Sequence, residues 1–174
     1  MNTDKDSSNR KSALYDWVSL YQTRILRMCY ILLRDRQHAE DATQETFLKA
    51  YQSYDALKNK NKAEAWLITI AINTCRAMHR SRRTNQNALP FSDAIENMSA
   101  QQFPMDSVLL HVEVERLPYR EREVILLYYY HGMNVNDIAR VLKISQSSVS
   151  SRLKKAEKQL RTVLKGDEKS ESEG

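Results

Sequence analysis

Asn73, Arg76, Arg80 and Arg83 step through the segment AEAWLITIAINTCRAMHRSRR by three, four and three residues. On a helix that spacing stacks one amide and three guanidiniums along a single line, with Arg82 beside them. Such a row can neutralise phosphates and hydrogen-bond the edges of bases. The same segment carries Ala63, Trp66, Leu67, Ile70, Ala71, Thr74, Ala77 and Met78 at helical spacing, an apolar stripe that must face a core. A helix cationic on its other side needs an anionic partner to offset the clustering of like charge, and nucleic acid fits.

A second candidate reader lies near the C-terminus. Val135 to Leu142 reads as a short helix, Lys143-Ile144-Ser145 as a tight turn, and Gln146 to about Leu164 as a longer helix, the proportions of a helix-turn-helix. Ser145 is placed as N-cap. Gln146, Ser147, Ser150, Ser151, Lys154 and Lys155 then fall on the outward, early side of the long helix. Short hydroxyls let it sit deep in a groove, and the lysines with Arg152 reach phosphates or guanine edges. The bland alternative for each basic helix is a solvated face.

The net charge of +5 and pI near 9.2 conceal a local asymmetry: acids crowd around 35–45 and 167–173, bases around 76–83 and 152–165. Two separated basic clusters suggest two contact points on one polyanion. The acids at 40, 41 and 45 lie in the first turns of a helix expected from about His38 to Tyr54, where the helix dipole favours them. The dipole leaves Gln44, on the same outer face, unexplained.

The elements that must position these groups are helical. Three glycines, three prolines and the near absence of alternating segments favour an all-α protein. Residues 1–11 are polar and read as disordered. From Ser12 the positions Leu14, Trp17, Val18, Tyr21, Ile25, Met28, Cys29 and Leu32 make a continuous stripe ending near Arg34 to Gln37. In the second helix Ala39, Ala42, Phe47, Ala50, Tyr51 and Tyr54 are the expected buried face. The loop DALKNKNK follows, then the Ala63 helix. Residues 84–105 lose helical periodicity, contain two of the three prolines, and form a linker between a first domain at 12–83 and a second at 106–165. The second domain opens on Asp106 as N-cap, is punctuated by Pro118, and continues with a helix from Arg120 to Tyr130, whose three consecutive tyrosines cannot all be buried. Residues 166–174 read as a disordered tail.

Other chemistries find little support. Cys29 and Cys75 sit in apolar helical patterns without a CxxC partner, as buried free thiols of a reducing cytoplasm do. The four histidines lack ligand-spaced partners, so no metal is expected, and no phosphate loop, nucleophile elbow or paired catalytic carboxylates occur, so neither an enzyme nor a cofactor is expected. No secretory signal or membrane-spanning run is visible, and a cytoplasmic protein is expected.

Taken together the segments resemble a known family. Ala39-Glu40-Asp41 followed by Gln44-Glu45-Thr46-Phe47-Leu48-Lys49-Ala50-Tyr51 resembles region 2 of bacterial extracytoplasmic-function (ECF) sigma factors of the sigma-70 family. Ala65-Trp66-Leu67 with Ile70-Ala71-Ile72-Asn73, Arg76 and Arg80 resembles the next segment of that region. Leu117-Pro118, Arg122-Glu123-Val124, Asp137-Ile138-Ala139, Ile144-Ser145, Val149 and Ser151-Arg152-Leu153 resemble region 4.

The resemblance implies two small helical domains, a helical bundle and a helix-turn-helix, joined by a flexible linker. It implies a dissociable specificity subunit of RNA polymerase, with core polymerase (the β′ clamp helices and the β flap), promoter DNA and an anti-sigma factor as partners, and no small-molecule substrate or membrane insertion. Asp41, Gln44, Glu45, Thr46 and Lys49 would dock on the clamp helices. Asn73, Arg76, Arg80 and Arg83, with Lys58, Asn59, Lys60 and Asn61 of the loop, would hold the non-template strand of the minus-ten element. Gln146, Ser147, Ser150, Ser151, Arg152, Lys154 and Lys155 would read the minus-thirty-five element. The sequence departs from the family at Ser150, where a basic residue is usual, at Lys143, where glycine is common, and at Asp137 in place of glutamate. A stand-alone helix-turn-helix regulator and a polymerase-binding adaptor are the rival readings.

Overall fold

The computed structural model describes residues 2–84 and 112–171, with side chains described at 4–83 and 112–162. Helices dominate the described residues, and no strand occurs among them. The chain divides into two compact units, Met1–Ala94 and Ile95–Gly174. The expected linker beyond Thr84 and the Asp106 N-cap lie outside the described residues.

In the first unit α1 spans Asn2–Leu33, α2 Arg36–Gln52 and α3 Ala63–Thr84. Helix α1 therefore begins ten residues before Ser12, a correction to the disordered 1–11 expected from polarity. No glycine or proline interrupts 2–33, Asp4 sits in the favourable first turn, and a helix already nucleated by packing propagates outward at little cost. At the other end Arg34 adopts a left-handed conformation at φ 55°, and its N–H bonds the Tyr30 carbonyl at 2.7 Å. Asp35 is extended, and its carboxylate accepts the His38 N–H at 2.8 Å to cap α2. A two-residue turn thus folds α2 back on α1.

The three helices pack pairwise. Ile25, Met28, Cys29 and Leu32 of α1 meet Ala39, Ala42, Phe47 and Ala50 of α2 and Leu67, Ile68, Ala71, Ile72 and Cys75 of α3, all buried. Buried Thr43, Thr46 and Thr74 donate their hydroxyls to the carbonyl four residues back, at 2.7, 2.7 and 2.9 Å, which satisfies them. Cys29 and Cys75 are buried free thiols, as expected. The Cys75 thiol is pushed well above the usual range by its hydrogen bond with Cys29, by burial and by the Cys29 charge.

The buried face of α3 differs from the expected stripe. Ile68, Ile72 and Cys75 are inside, Trp66 and Ile70 are half-buried, and Ala77 is exposed. Because α3 contacts both α1 and α2, its core face is two helices wide and turned by roughly a fifth of a turn from the stripe the sequence favoured.

In the second unit the described residues open on helical residues 112–116 (α4), followed by α5 at Tyr119–Ile125, α6 at Val135–Leu142 and α7 at Gln146–Glu171. The helix expected at 120–130 is present, but Leu126–Tyr130 widens into a π turn, with His131 N–H on the Leu126 carbonyl at 3.1 Å. Tyr128 and Tyr129 are exposed, as three consecutive tyrosines require. Gly132 at φ 63° ends this segment. Val124, Ile125, Leu126, Leu127, Ile138, Leu142, Val149, Leu153 and Ala156 form the core. Helix α7 runs on to Glu171, a correction to the disordered tail from 166. Gly166 costs such a helix only about 1 kcal/mol, and the helix is already nucleated by its packed first turns.

Candidate nucleic-acid and polymerase interfaces

The α3 line survives folding. Asn73, Arg80 and Arg83 are exposed and Arg76 is half-buried on the face opposite the core. Arg82, beside the line, turns away from it: its Nη1 donates to the Leu33 carbonyl at 3.0 Å, satisfying the open C-terminus of α1.

Directly before α3 the loop makes two turns of 3-10 helix, Tyr54–Ala56 and Lys60–Lys62. Lys58, Asn59, Lys60 and Asn61 are all exposed there. Asn59 Oδ1 accepts the Asn61 N–H at 3.0 Å, so this carbonyl shapes the loop. Lys60 Nζ stands 5.6 Å from the Tyr54 ring centroid, and a hydrogen bond to Tyr54 together with the Tyr54 charge raises the lysine pKa.

Beneath the loop lies an aromatic cluster that sequence reasoning did not assemble. Trp17 packs on Tyr54 at 5.8 Å and edge-on against Trp66 at 5.7 Å between centroids. The sequence assigned these rings to separate helix faces, and no local spacing brings them together.

On α2, Asp41, Gln44 and Lys49 are exposed and Glu45 is half-buried, forming one outward strip. Gln37 Nε2 donates to Asp41 at 3.1 Å, and Lys49 Nζ lies 3.4 Å from Glu45 and 3.3 Å from the Thr74 hydroxyl. Thr46 departs from the strip: it is fully buried, with its hydroxyl on the Ala42 carbonyl. Leu48, missed beforehand, is 51% exposed on this strip, a large apolar side chain among polar ones.

In the second unit Ser145 caps α7 as expected, its Oγ accepting the Ser148 N–H at 3.1 Å. Gln146, Ser147, Ser151, Lys154 and Lys155 are exposed and Ser150 is half-buried. Gln146 Nε2 donates to Asn136 Oδ1 at 3.1 Å, joining α7 to α6. Arg152 is half-buried, and its Nη1 lies 3.2 Å from the buried Glu123, a tie between α5 and α7. A shallow basin of about 390 Å³ beside the start of α7 is lined by Ser147, Ser148, Ser151, Arg152 and Lys155 with Arg120 and Glu121 of α5, a cation and an acid outside the residues expected to read DNA.

A three-helix unit with an outward cationic line and loop, and a separate unit carrying a capped helix-turn-helix, is the combination the family comparison matches. Residues 17–84 match the model of sigma-70 region 2, and residues 114–162 that of sigma-70 region 4. The chain belongs to the sigma-70 family. It is similar to ECF sigma factor SigL of Mycobacterium tuberculosis, 32% identical over 87% of each chain. It is also similar to ECF sigma factor SigW of Bacillus subtilis, 25% identical over 89% of this chain and 90% of that protein. Among solved structures, sigma factor RpoE of Bartonella quintana in complex with the anti-sigma factor NepR has the same fold, with a TM-score of 0.72 at 24% identity, covering 87% of this chain and 96% of that one.

The chain is thus an RNA polymerase sigma factor of the ECF class, and the rival stand-alone regulator is not favoured. In this sigma factor the line on α3 and the loop before it belong to region 2, and the capped α7 helix to region 4. No helix among the described residues is long and apolar enough to cross a membrane.

Proposed function

We propose that the two regions divide promoter recognition as follows. The α2 strip of Asp41, Gln44, Glu45, Leu48 and Lys49 docks on the clamp helices of the polymerase β′ subunit, its exposed leucine giving apolar contact inside a polar rim. Asn73, Arg76, Arg80 and Arg83 hold the non-template strand at the minus-ten element, and the loop at 58–61 receives an unstacked base. Reading a base this way selects sequence, because a base must leave the stack before its edge can be hydrogen-bonded. Capture of unstacked bases offsets the cost of unpairing, so opening needs no hydrolysis by the sigma factor.

Gln146, Ser147, Ser150, Ser151, Lys154 and Lys155 enter the major groove at the minus-thirty-five element, with Arg120 on adjacent phosphate. With Ser150 in place of a basic residue, direct readout leans on Gln146 and the two lysines. An anti-sigma factor that holds the protein inactive in the cytoplasm completes the proposal, in keeping with the inhibitor-bound sigma factor of the same fold.

The observation that carries this reading is the line from Asn73 to Arg83 on the outer face of α3, together with the exposed loop at 58–61 that leads into the same helix. The test is the paired substitution Arg76→Ala and Arg80→Ala. Core polymerase binding is expected to persist while promoter opening, followed by permanganate reactivity of unpaired thymines, is lost. Opening that survived would remove these arginines from the role. Promoter-specific binding by the isolated protein as a dimer would favour the stand-alone regulator.

A further inference from the structure

We propose that the first turns of α1 brace the minus-ten loop, with Arg10 as the positioning residue. Arg10 forms an ion pair with Asp55, across 45 residues of sequence, and its Cζ lies 6.0 Å from the Tyr54 ring centroid. Tyr54 and Asp55 open the loop, at the point where α2 has ended. Tyr54 is thus contacted by Arg10 and Trp17 from α1 and by Lys60 from the loop itself.

Within the loop, backbone bonding is confined to short turns: Ala56 to Ser53 at 2.9 Å, Leu57 to Tyr54 at 3.2 Å and Lys62 to Asn59 at 3.0 Å. Such turns do not by themselves set where a loop sits, and a base pocket must be held in place before the base arrives. The contacts to α1 supply that placement. Arg10 and Lys60 also approach the same ring as like charges, and Asp55 offsets the repulsion.

The family match begins at residue 17, so the part of α1 that carries Arg10 lies outside the matched segment. An exposed ion pair contributes little to global stability, and Asp55 is 73% exposed. Its effect is accordingly expected in the geometry of the loop rather than in folding.

The inference rests on the minus-ten role proposed for the loop, and two measurements separate their failures. The first is hydrogen exchange at the amides of 54–62 in the full chain alone. Arg10→Ala is expected to raise exchange there about two- to fivefold, the range an exposed ion pair with a cation–π contact can exert, while α2 and α3 are unchanged. The charge reversal Arg10→Asp with Asp55→Arg is expected to restore it. Unchanged exchange in Arg10→Ala overturns the brace whatever the loop does.

The second is promoter competition by the holoenzyme, with fragments varied one base at a time in the minus-ten element. Arg10→Ala is expected to flatten the preference at one position with core affinity unaltered, and the reversal to recover it. A preference equal to wild type overturns the positioning role. If wild type itself shows no preference that loop substitutions disturb, the minus-ten assignment of the loop fails, and the positioning role falls with it.

Discussion

Arg152 Nη1 lies 3.2 Å from Glu123 Oε1, joining α7 to α5 across 29 residues, with the carboxylate 1% exposed. Helix α7 therefore spends one of its cations on its own scaffold. Removing one partner of a largely buried ion pair costs about 3 kcal/mol or more. Either Glu123→Ala or Arg152→Ala is expected to lower the unfolding free energy of the second unit by that amount, read as a lower urea midpoint at unchanged slope. The double substitution Glu123→Leu and Arg152→Met is expected to lie much closer to wild type. If Arg152→Ala weakened promoter binding without loss of stability, the guanidinium would be a DNA contact after all.

Lys143 stands at φ 54°, ψ 46°, with its N–H on the Ala139 carbonyl, and so ends α6 in the left-handed region. A side chain there strains the backbone by about 1 kcal/mol, and glycine does not. Lys143→Gly is expected to raise stability by up to about 1 kcal/mol, less the entropy that glycine adds to the unfolded chain. Thermal unfolding measures it, and Lys143→Ala, which keeps the strain, is the control.

Asp35 links the α1–α2 turn to pH. Burial pushes its pKa up, but the His38 backbone and side chain, and the His38 and Arg82 charges, outweigh burial and hold it below the usual carboxylate value. A depressed folded pKa means the contribution is fully present above the unfolded value, about 3.9, and is lost as pH falls through the folded one. Asp35→Ala is expected to cost about 1 kcal/mol at neutral pH through the lost cap. Asp35→Asn is expected to keep most of the cap and to flatten stability against pH below about 4. A wild-type acid limb identical to that of Asp35→Asn would show that this carboxylate does not govern it.

On α2 the buried and exposed faces make opposite predictions for adjacent motif residues. Thr46→Ala deletes a buried hydroxyl bonded to Ala42 and is expected to leave core polymerase affinity unchanged. Leu48→Glu, at an exposed position, is expected to spare folding and weaken core affinity about tenfold or more, the equivalent of roughly 1.4 kcal/mol. Fluorescence titration against core polymerase distinguishes them. Equal effects from both would place the docking surface elsewhere.

The helices, their order and the line from Asn73 to Arg83 were legible in the chain because each depends on spacing within one segment. Ser145 capping α7 and the exposure of the tyrosine run follow from the same short-range rules. The extent of α1 was misjudged for a related reason. Polarity at 1–11 says nothing about a helix stabilised elsewhere along its length, and the partner of Arg10 lies 45 residues away. Thr46 was misplaced because a motif marks that a residue matters without saying whether it faces inward.

Local periodicity, caps and charge spacing were enough to specify a two-part helical protein with two basic helix faces, since a helix displays its own faces at 100° per residue. Which cations remain available to a partner was settled only when helices distant in sequence came together. Arg82 went to the Leu33 carbonyl, Arg152 to Glu123 and Arg10 to Asp55. A guanidinium's partner depends on which element packs beside it, and packing pairs residues whose separation along the chain carries no signal of its own.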